Sequence, residues 1–104
     1  MKDIIEKIIK FRDERDWDKF HTPSNLSKSI VIEAAELLEN FQWQDQEVDL
    51  LNVQEELADI LIYSLTLADY YAFDIKEIIL NKIEKNRLKY PKDKVMGSSK
   101  KYQK

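Results

Sequence analysis

Residues 49–72 read DLLNVQEELADILIYSLTLADYYA and contain neither glycine nor proline. A stretch of this length without a helix breaker predicts one long helix from Asp49 to Ala72. Apolar side chains cover more of its circumference than a surface helix usually carries, so we expect the helix to be central. A second copy of the chain is the simplest cover for the excess, and burial within one chain is the alternative. One face is formed by Leu50, Val53, Leu57, Ile60, Leu61, Ser64, Ala68 and Tyr71, and Ile62, Leu65 and Leu67 add apolar surface outside it.

Three further helices are predicted around this one. Their approximate bounds are Lys2–Asp16, Asn25–Phe41 and Ile75–Lys89, each with apolar residues at helical spacing. The expected fold class is therefore all-α, a four-helix bundle in residues 1–91 followed by a basic tail in residues 92–104. We expect no core of its own in that tail.

Helix boundaries are marked by a few residues. Ser24 or Asn25 is the candidate N-cap of the second helix, directly after a proline. Asp74 with Glu77 three residues later has the pattern of a capping box, and Pro91 is expected to end the fourth helix. A polar joint is predicted at residues 42–48.

The composition excludes several classes of protein. With one Gly and two Pro in 104 residues, the chain lacks the turn residues of an all-β fold. The absence of Cys excludes disulfides, zinc–cysteine sites, iron–sulfur clusters and cysteine nucleophiles, and the single His21 excludes multi-histidine metal sites. No apolar run is as long as a membrane span, and the N-terminus is amphipathic rather than signal-like. We expect a cytoplasmic protein without a membrane partner.

Charge is distributed unevenly along the chain. The net charge is −3, but residues 1–81 carry −10 and residues 82–104 carry +7. An acidic body with a basic end suits an anionic ligand held through a bridging cation, or nucleic acid bound by the tail. The body would repel a phosphate backbone, and only Tyr90 and Tyr102 accompany the basic residues. We therefore expect no nucleic-acid partner.

Two pairs of carboxylates lie at helical spacing. Glu33 and Glu36 are three residues apart on the second predicted helix, and Glu56 and Asp59 are three apart on the third. If the helices pack together, the two pairs can form an all-oxygen site for a hard cation such as Mg²⁺. The alternative is that all four are solvated surface acids, because a chain this acidic produces such pairs by chance.

Five short motifs follow one another along the chain. They are FRDERDW at residues 11–17, FHTPSNL at 20–26, Glu33-x-x-Glu36 with FQW at 41–43, EELADILIY at 55–63 and KIEKNRLKYP at 82–91. In order and spacing they closely resemble the MazG-like branch of the all-α nucleoside triphosphate pyrophosphohydrolases, and within it the small dCTP pyrophosphatases. The resemblance spans about residues 4–91.

The resemblance implies hydrolysis of a nucleoside triphosphate, most simply dCTP or a related or modified pyrimidine deoxynucleotide, to the monophosphate and pyrophosphate. It implies Mg²⁺, with Mn²⁺ as the alternative ion, bound by Glu33, Glu36, Glu56 and Asp59. A triphosphate enters an acidic pocket only when divalent cations bridge the charges. Glu33 and Glu36 are the expected catalytic carboxylates, with Glu36 preferred as the general base. Such an enzyme removes unwanted nucleotides from the pool.

The same resemblance assigns the substrate contacts. Lys82 and Asn86 are expected to bind the outer phosphates, whereas the alternative for Lys82 is a surface ion pair with Glu84. Trp17, Trp43 and Tyr63 are the aromatic residues expected to form the nucleoside pocket, although aromatics at helical spacing also serve as core. No catalytic role is assigned to His21, and Asn25 is expected to be a helix cap.

One position departs from the pattern. In some relatives that read cytosine, a His stands where this chain has Ile8. An aliphatic side chain cannot form that hydrogen bond, so tolerance of several pyrimidine or modified nucleotides is expected. Preference for another nucleotide such as dUTP, or a non-catalytic oligomeric helical module, are the alternatives. The resemblance also implies a homo-oligomer, a tetramer built as a dimer of dimers.

Overall fold

A computed structural model describes residues 1–43 and 48–97 of the chain. Within them, helices are the only regular elements, which confirms the all-α class. No helix in these ranges is long and apolar enough to cross a membrane. The elements are α1 (Lys2–Glu14), a 3₁₀ turn (Asp18–Phe20), α2 (Pro23–Glu39), α3 (Leu50–Tyr70), α4 (Ile75–Lys89) and the one-turn α5 (Lys92–Val95).

The start of α2 differs from the prediction. Ser24 and Asn25 are not its N-cap: the helix begins at Pro23, and the Thr22 hydroxyl oxygen accepts a hydrogen bond from the Asn25 backbone N–H at 3.1 Å. Threonine caps a helix through the same interaction as serine, and proline suits the first helical position because no N–H is needed there. The Asn25 side-chain amide instead donates to the Phe20 carbonyl at 3.0 Å, which ties the 3₁₀ turn to α2.

Helices α1 and α3 end two residues earlier than predicted because the chain turns left-handed after each. Asp16 has φ 54°, and the N–H groups of Asp16 and Trp17 donate to the carbonyls of Asp13 and Arg12 at 3.1 Å each. This is the Schellman pattern of helix ends, which usually places glycine in the left-handed position. The end of α3 repeats it at Ala72, with φ 56°. At the end of α1, the pattern fixes the backbone of Trp17.

Aspartate caps open the other two long helices. The Asp49 carboxylate accepts from the Asn52 backbone N–H at 3.1 Å, and the Asp74 carboxylate accepts from the Glu77 N–H at 3.0 Å. The cap predicted at Asp74 is therefore confirmed, and α4 has the predicted bounds. Most of the predicted joint after α2, residues 44–47, lies outside the described residues.

Residues Met1–Phe73 form one compact unit, in which α3 packs mainly against α2 and less extensively against α1. The centre of the packing lies toward the C-terminal half of α3. There the Thr66 hydroxyl donates to the Ile62 carbonyl at 2.7 Å, so this buried polar group is satisfied within its own helix. The apolar residues that the unit buries are Leu26, Leu65 and Ala68.

The predicted face of α3 is covered only in part. Leu57 and Leu61 belong to that face, yet their exposed fractions are 48% and 52%. Leu65, which the helical wheel places outside the face, is buried instead. Within the unit, α1 and α2 therefore cover one part of a helix that is apolar around most of its circumference.

The second unit begins at Asp74 and contains α4 and α5. On α4 the Arg87 guanidinium binds the Glu84 carboxylate through two hydrogen bonds, of 2.6 and 3.0 Å. The predicted basic tail starts with the single turn of α5, and residues 98–104 lie outside the described residues.

Candidate active site

A cluster of carboxylates lies where α2 packs against α3. Glu33 and Glu36 are one turn apart on α2, and Glu56 and Asp59 are one turn apart on α3, so the packing brings the two pairs together. Glu33, Glu56 and Asp59 each present a carboxylate oxygen, and these oxygens all lie within 4.8 Å of one another.

Glu36 completes the cluster, as its effect on its neighbours' pKa values indicates. Burial, the close approach of the Glu36 and Glu56 carboxylates, and the charge of Asp59 raise the pKa of Glu33 from 4.5 to about 7. The pKa of Glu56 is also raised, first by the loss of water around it and then by Glu36. Burial and the nearby charge of Glu33 raise the pKa of Tyr63. All three shifts have burial as their largest cause, and the neighbouring carboxylate charges add to it.

Two oxygen atoms of the cluster have no partner. The Oε2 atoms of Glu33 and Glu56 are buried and make no hydrogen bond to any described residue. Buried carboxylate oxygens are costly unless a donor or a cation satisfies them. Two such atoms inside an all-oxygen cluster fit a hard divalent cation such as Mg²⁺, which binds carboxylates and water.

An open acidic cavity adjoins the cluster. It has a volume of about 460 Å³ and is lined by Glu36, Glu39, Asn40, Asn52 and Glu56. Sequence reasoning did not single out Glu39 or Asn52, although Glu39 lies three residues after Glu36 on the same helix. The cavity gives the carboxylates of Glu36 and Glu56 access to solvent and to a ligand.

A second, largely apolar cavity has Asp59 in its lining. Its volume is about 580 Å³, and it contains two of the predicted pocket residues, Trp17 and Tyr63. Trp17 meets the ring of Phe11 edge to face, with ring centroids 5.7 Å apart. Because Asp59 and Tyr63 both line the cavity, a flat apolar ligand inside it would lie directly beside the carboxylates. The remaining lining residues are Ile4, Lys7, Ile8, Phe11, Arg12, His21, Ile62 and Thr66.

Arg12 and His21 are pocket residues that sequence reasoning missed. The Arg12 guanidinium pairs with Asp13 at 2.8 Å and with Asp18 at 3.3 Å. The His21 ring meets the ring of Tyr63 edge to face, with centroids 6.3 Å apart, and its Nδ1 atom is buried without a hydrogen-bond partner among the described residues. Both residues lie inside recognised motifs. Arg12 lies on the face of α1 that carries Ile8, and His21 directly follows the 3₁₀ turn.

The other predicted site residues are Trp43, Lys82 and Asn86. Trp43 is 87% exposed and does not line the apolar cavity. Lys82 and Asn86 are exposed on α4, in the second unit of the chain, one turn apart. Their neighbour Glu84 pairs with Arg87 rather than with Lys82.

The chain was compared with known proteins. The model of the MazG-like family matches residues 28–104. Proteins named dCTP pyrophosphatase 1 from Bos taurus and Homo sapiens are each 39% identical to it over 111 residues, covering 98% of this chain. The chain spans only 66% and 65% of the length of these two relatives. A crystal structure of a pyrophosphatase from Archaeoglobus fulgidus is 43% identical, with a TM-score of 0.79 over 88% of this chain and 92% of that one.

Proposed function

The chain belongs to the MazG-like family, and we propose that it hydrolyses dCTP, or a related or modified pyrimidine deoxynucleotide, to the monophosphate and pyrophosphate. The relatives named dCTP pyrophosphatase 1 support this substrate class. The observation that carries the proposal is the position of Asp59, which belongs to the carboxylate cluster and also lines the apolar cavity. Such an enzyme would remove unwanted nucleotides from the cytoplasmic pool.

In this proposal the cluster holds the metal. Glu33, Glu36, Glu56 and Asp59 would bind Mg²⁺, or Mn²⁺ in its place, through oxygens that include the two unpartnered Oε2 atoms. When bound, the cation supplies charge neutralisation at the phosphates and lowers the pKa of a water molecule. By holding the cation, the carboxylates would also fix where the triphosphate lies. A polyanion can approach four acids only when a cation bridges the charges.

Glu33 and Glu36 are the proposed catalytic carboxylates. Glu36 lines the open acidic cavity, so its side chain can reach a water molecule that enters from solvent. We assign it the role of general base, which accepts the proton of the attacking water. Glu33 is more enclosed and orients Glu36 through the contact between them.

The apolar cavity is the proposed nucleoside pocket. Trp17 and Tyr63 offer flat faces against which a base can stack, and the cavity is large enough for a nucleoside. Trp43 is assigned to the rim of the same pocket by resemblance. Lys82 and Asn86 offer a cation and an amide on one face of α4, and we assign them to the outer phosphates.

We further propose that the chain works as a homo-oligomer, a tetramer built as a dimer of dimers. The described residues leave large apolar side chains exposed on both helices of the site: Val31 and Leu38 on α2 are 68% and 67% exposed, and Leu61 on α3 is 52% exposed. Exposed apolar surface of this extent is typical of a face that another subunit covers.

The activity is tested by measuring pyrophosphate release from a panel of dNTPs and NTPs, with Mg²⁺ and with EDTA. We expect metal-dependent release that is greatest with dCTP or another pyrimidine deoxynucleotide. Glu36→Gln and Asp59→Asn should each lower kcat by about 100-fold or more, since even residues that only support metal ligands are worth about 10- to 100-fold. Glu55→Gln is the matched control, because Glu55 is an exposed neighbour of Glu56 outside the cluster.

Two results would contradict the proposal. No release from any nucleotide, together with no effect of Mg²⁺ and a triphosphate on the melting temperature, would leave a non-catalytic helical module. Equal losses in Glu55→Gln and Glu36→Gln would mean that general surface charge, rather than the cluster, supports the activity.

A further inference from the structure

The apolar cavity is lined by nitrogen-bearing side chains, Arg12 and His21 among them, in addition to the carboxylate of Asp59. Four of its lining residues offer no hydrogen bond to a ligand: Ile4, Ile8, Phe11 and Ile62. The Thr66 hydroxyl already donates to the Ile62 carbonyl. Arg12, at the end of α1, and His21, directly after the 3₁₀ turn, add hydrogen-bonding capacity to that of the other polar lining residues, which are Lys7, Trp17, Asp59 and Tyr63.

Arg12 is held firmly in this position. Its side chain is only 14% exposed, although both of its partners, Asp13 and Asp18, are more than half exposed. Its Nε and one terminal nitrogen contact Asp13, and its other terminal nitrogen contacts Asp18. A guanidinium carries five N–H groups in a fixed plane, so one N–H on each terminal nitrogen stays available to a ligand in the cavity.

His21 is positioned by its surroundings as well. Its backbone N–H donates to the Asp18 carbonyl at 3.0 Å, and its ring packs edge-on against Tyr63. Burial, and then the charge of Arg12, lower the pKa of His21, while Asp18 opposes that shift. With Nδ1 buried, Nε2 is the ring nitrogen through which His21 can reach a ligand.

We propose that Arg12 and His21 read the edge of the nucleobase and select cytosine over uracil and thymine. This inference rests on the proposed function, because it takes the cavity to be the nucleoside pocket. Cytosine presents two adjacent acceptors, O2 and N3, which suit a planar set of donors. Uracil and thymine carry a hydrogen on N3, so a donor would face a donor and both would remain unpaired. The pair thus supplies the base contact that Ile8 cannot.

The test is direct binding of dCMP, dUMP, dTMP, dAMP and dGMP to the full chain in EDTA, measured by calorimetry. Without metal and without hydrolysis, this readout does not depend on the proposed activity. We expect dCMP to bind more tightly than dUMP and dTMP, and Arg12→Met and His21→Phe each to weaken dCMP binding between about 5- and 100-fold. Binding of dUMP should change much less, so the discrimination is lost. Arg15→Met is the control, because Arg15 lies on the ring of Phe11, with its guanidinium carbon 3.7 Å from the ring centroid, and does not line the cavity.

Arg12→Lys separates base reading from a purely structural role. A lysine keeps the charge that pairs with Asp13 and Asp18 but loses the planar set of donors. The proposal expects this variant to keep its melting temperature and lose discrimination. The proposal is overturned if Arg12→Lys retains the wild-type ratio of dCMP to dUMP affinity, if all five nucleotides weaken equally in Arg12→Met and His21→Phe, or if none of them binds the wild type. A preference for dGMP over dCMP would also overturn the proposal, because guanine O6 and N7 are adjacent acceptors too and the pair would then not select cytosine.

The hydrolysis panel separates this inference from the activity. Selective dCMP binding without pyrophosphate release from any triphosphate would support base reading by Arg12 and His21 and contradict the enzymatic proposal. Hydrolysis with no preference among pyrimidines, unchanged in the variants, would support the enzyme and overturn the base-reading pair.

Discussion

At the residue scale, the carboxylates of Glu33 and Glu56 each place an oxygen in the interior where no described residue can satisfy it. The pairing of acids was predictable, because spacing of three residues on a helix is visible in the sequence. The burial of the two oxygen atoms was not predictable, because it depends on how closely α2 and α3 approach each other. The pKa of Glu33, raised to about 7, is the measurable result of that approach.

Glu33 makes the stability of the metal-free protein depend on pH. The pKa of Glu33 is about 7 in the folded protein, against a reference value of 4.5 for an unperturbed glutamate. Between these two pH values the folded state keeps a proton that the unfolded state has released. The stabilisation is complete below about pH 4.5 and is lost as the pH rises through 7. We expect the free energy of unfolding in EDTA to fall across this window and Mg²⁺ to restore it above pH 7. Urea denaturation at a series of pH values measures this.

Glu33→Gln should flatten that profile, because the glutamine has no proton to lose, and the metal-free variant should be more stable than the wild type at pH 7. Glu55→Gln, which changes an exposed acid on the neighbouring helix, should leave the profile as in the wild type. Parallel profiles for the wild type and Glu33→Gln would contradict the assignment of the raised pKa.

The positions of Arg12 and His21 in the apolar cavity were not predicted. Both stand in motifs that were recognised. Arg12 lies four residues after Ile8, on the face of α1 that lines the cavity, so helical periodicity could have placed it there. His21 follows the left-handed turn at Asp16 and the 3₁₀ turn after it. No glycine occupies the left-handed position, so the sequence offered no signal for that turn.

At the scale of the elements, the helices whose two ends carry chemical signals were predicted best. Asp74 opens α4 and Pro91 follows it, and its bounds agree with the prediction. Helices α1 and α3 were predicted too long, because Asp16 and Ala72 occupy left-handed positions where glycine is usual. The start of α2 was misplaced because three polar residues lie close together and only one of them, Thr22, caps the helix.

The cap on α2 can be tested directly. Thr22→Ala removes the acceptor for the Asn25 N–H and should lower the free energy of unfolding by about 1 kcal/mol, measured by urea denaturation. Ser24→Ala is the matched control, since Ser24 does not cap the helix, and it should change stability by less than about 0.5 kcal/mol. If Ser24→Ala were the more costly of the two, the cap would be misassigned.

At the scale of the whole molecule, the balance between buried and exposed apolar surface stands out. Among the described residues only Leu26, Leu65 and Ala68 are buried apolar side chains. The sequence predicted an apolar excess on the third helix, and the exposure of Leu57 and Leu61 agrees with it. The sequence of one chain does not show which surface covers that excess, because periodicity identifies an apolar face but not its partner.

The proposed assembly predicts a melting temperature that depends on protein concentration. When folding and association are coupled, dilution shifts the equilibrium toward unfolded chains. We expect a 100-fold dilution to lower the melting temperature by about 5 °C or more, measured by differential scanning fluorimetry. Leu61→Glu places a charge on the exposed apolar face and should lower the melting temperature and remove its dependence on concentration. A wild-type melting temperature that is constant across the dilution would contradict the assembly.

The scarcity of buried apolar side chains has a consequence for the chain's abundance. For a fold completed by association, the amount of working protein does not rise in proportion to the number of chains made. In the proposed assembly, most chains would be unfolded and open to proteolysis below a threshold abundance, and above it each added chain would be protected by its partners. Near that threshold, a twofold change in the rate of synthesis would therefore change the activity by more than twofold.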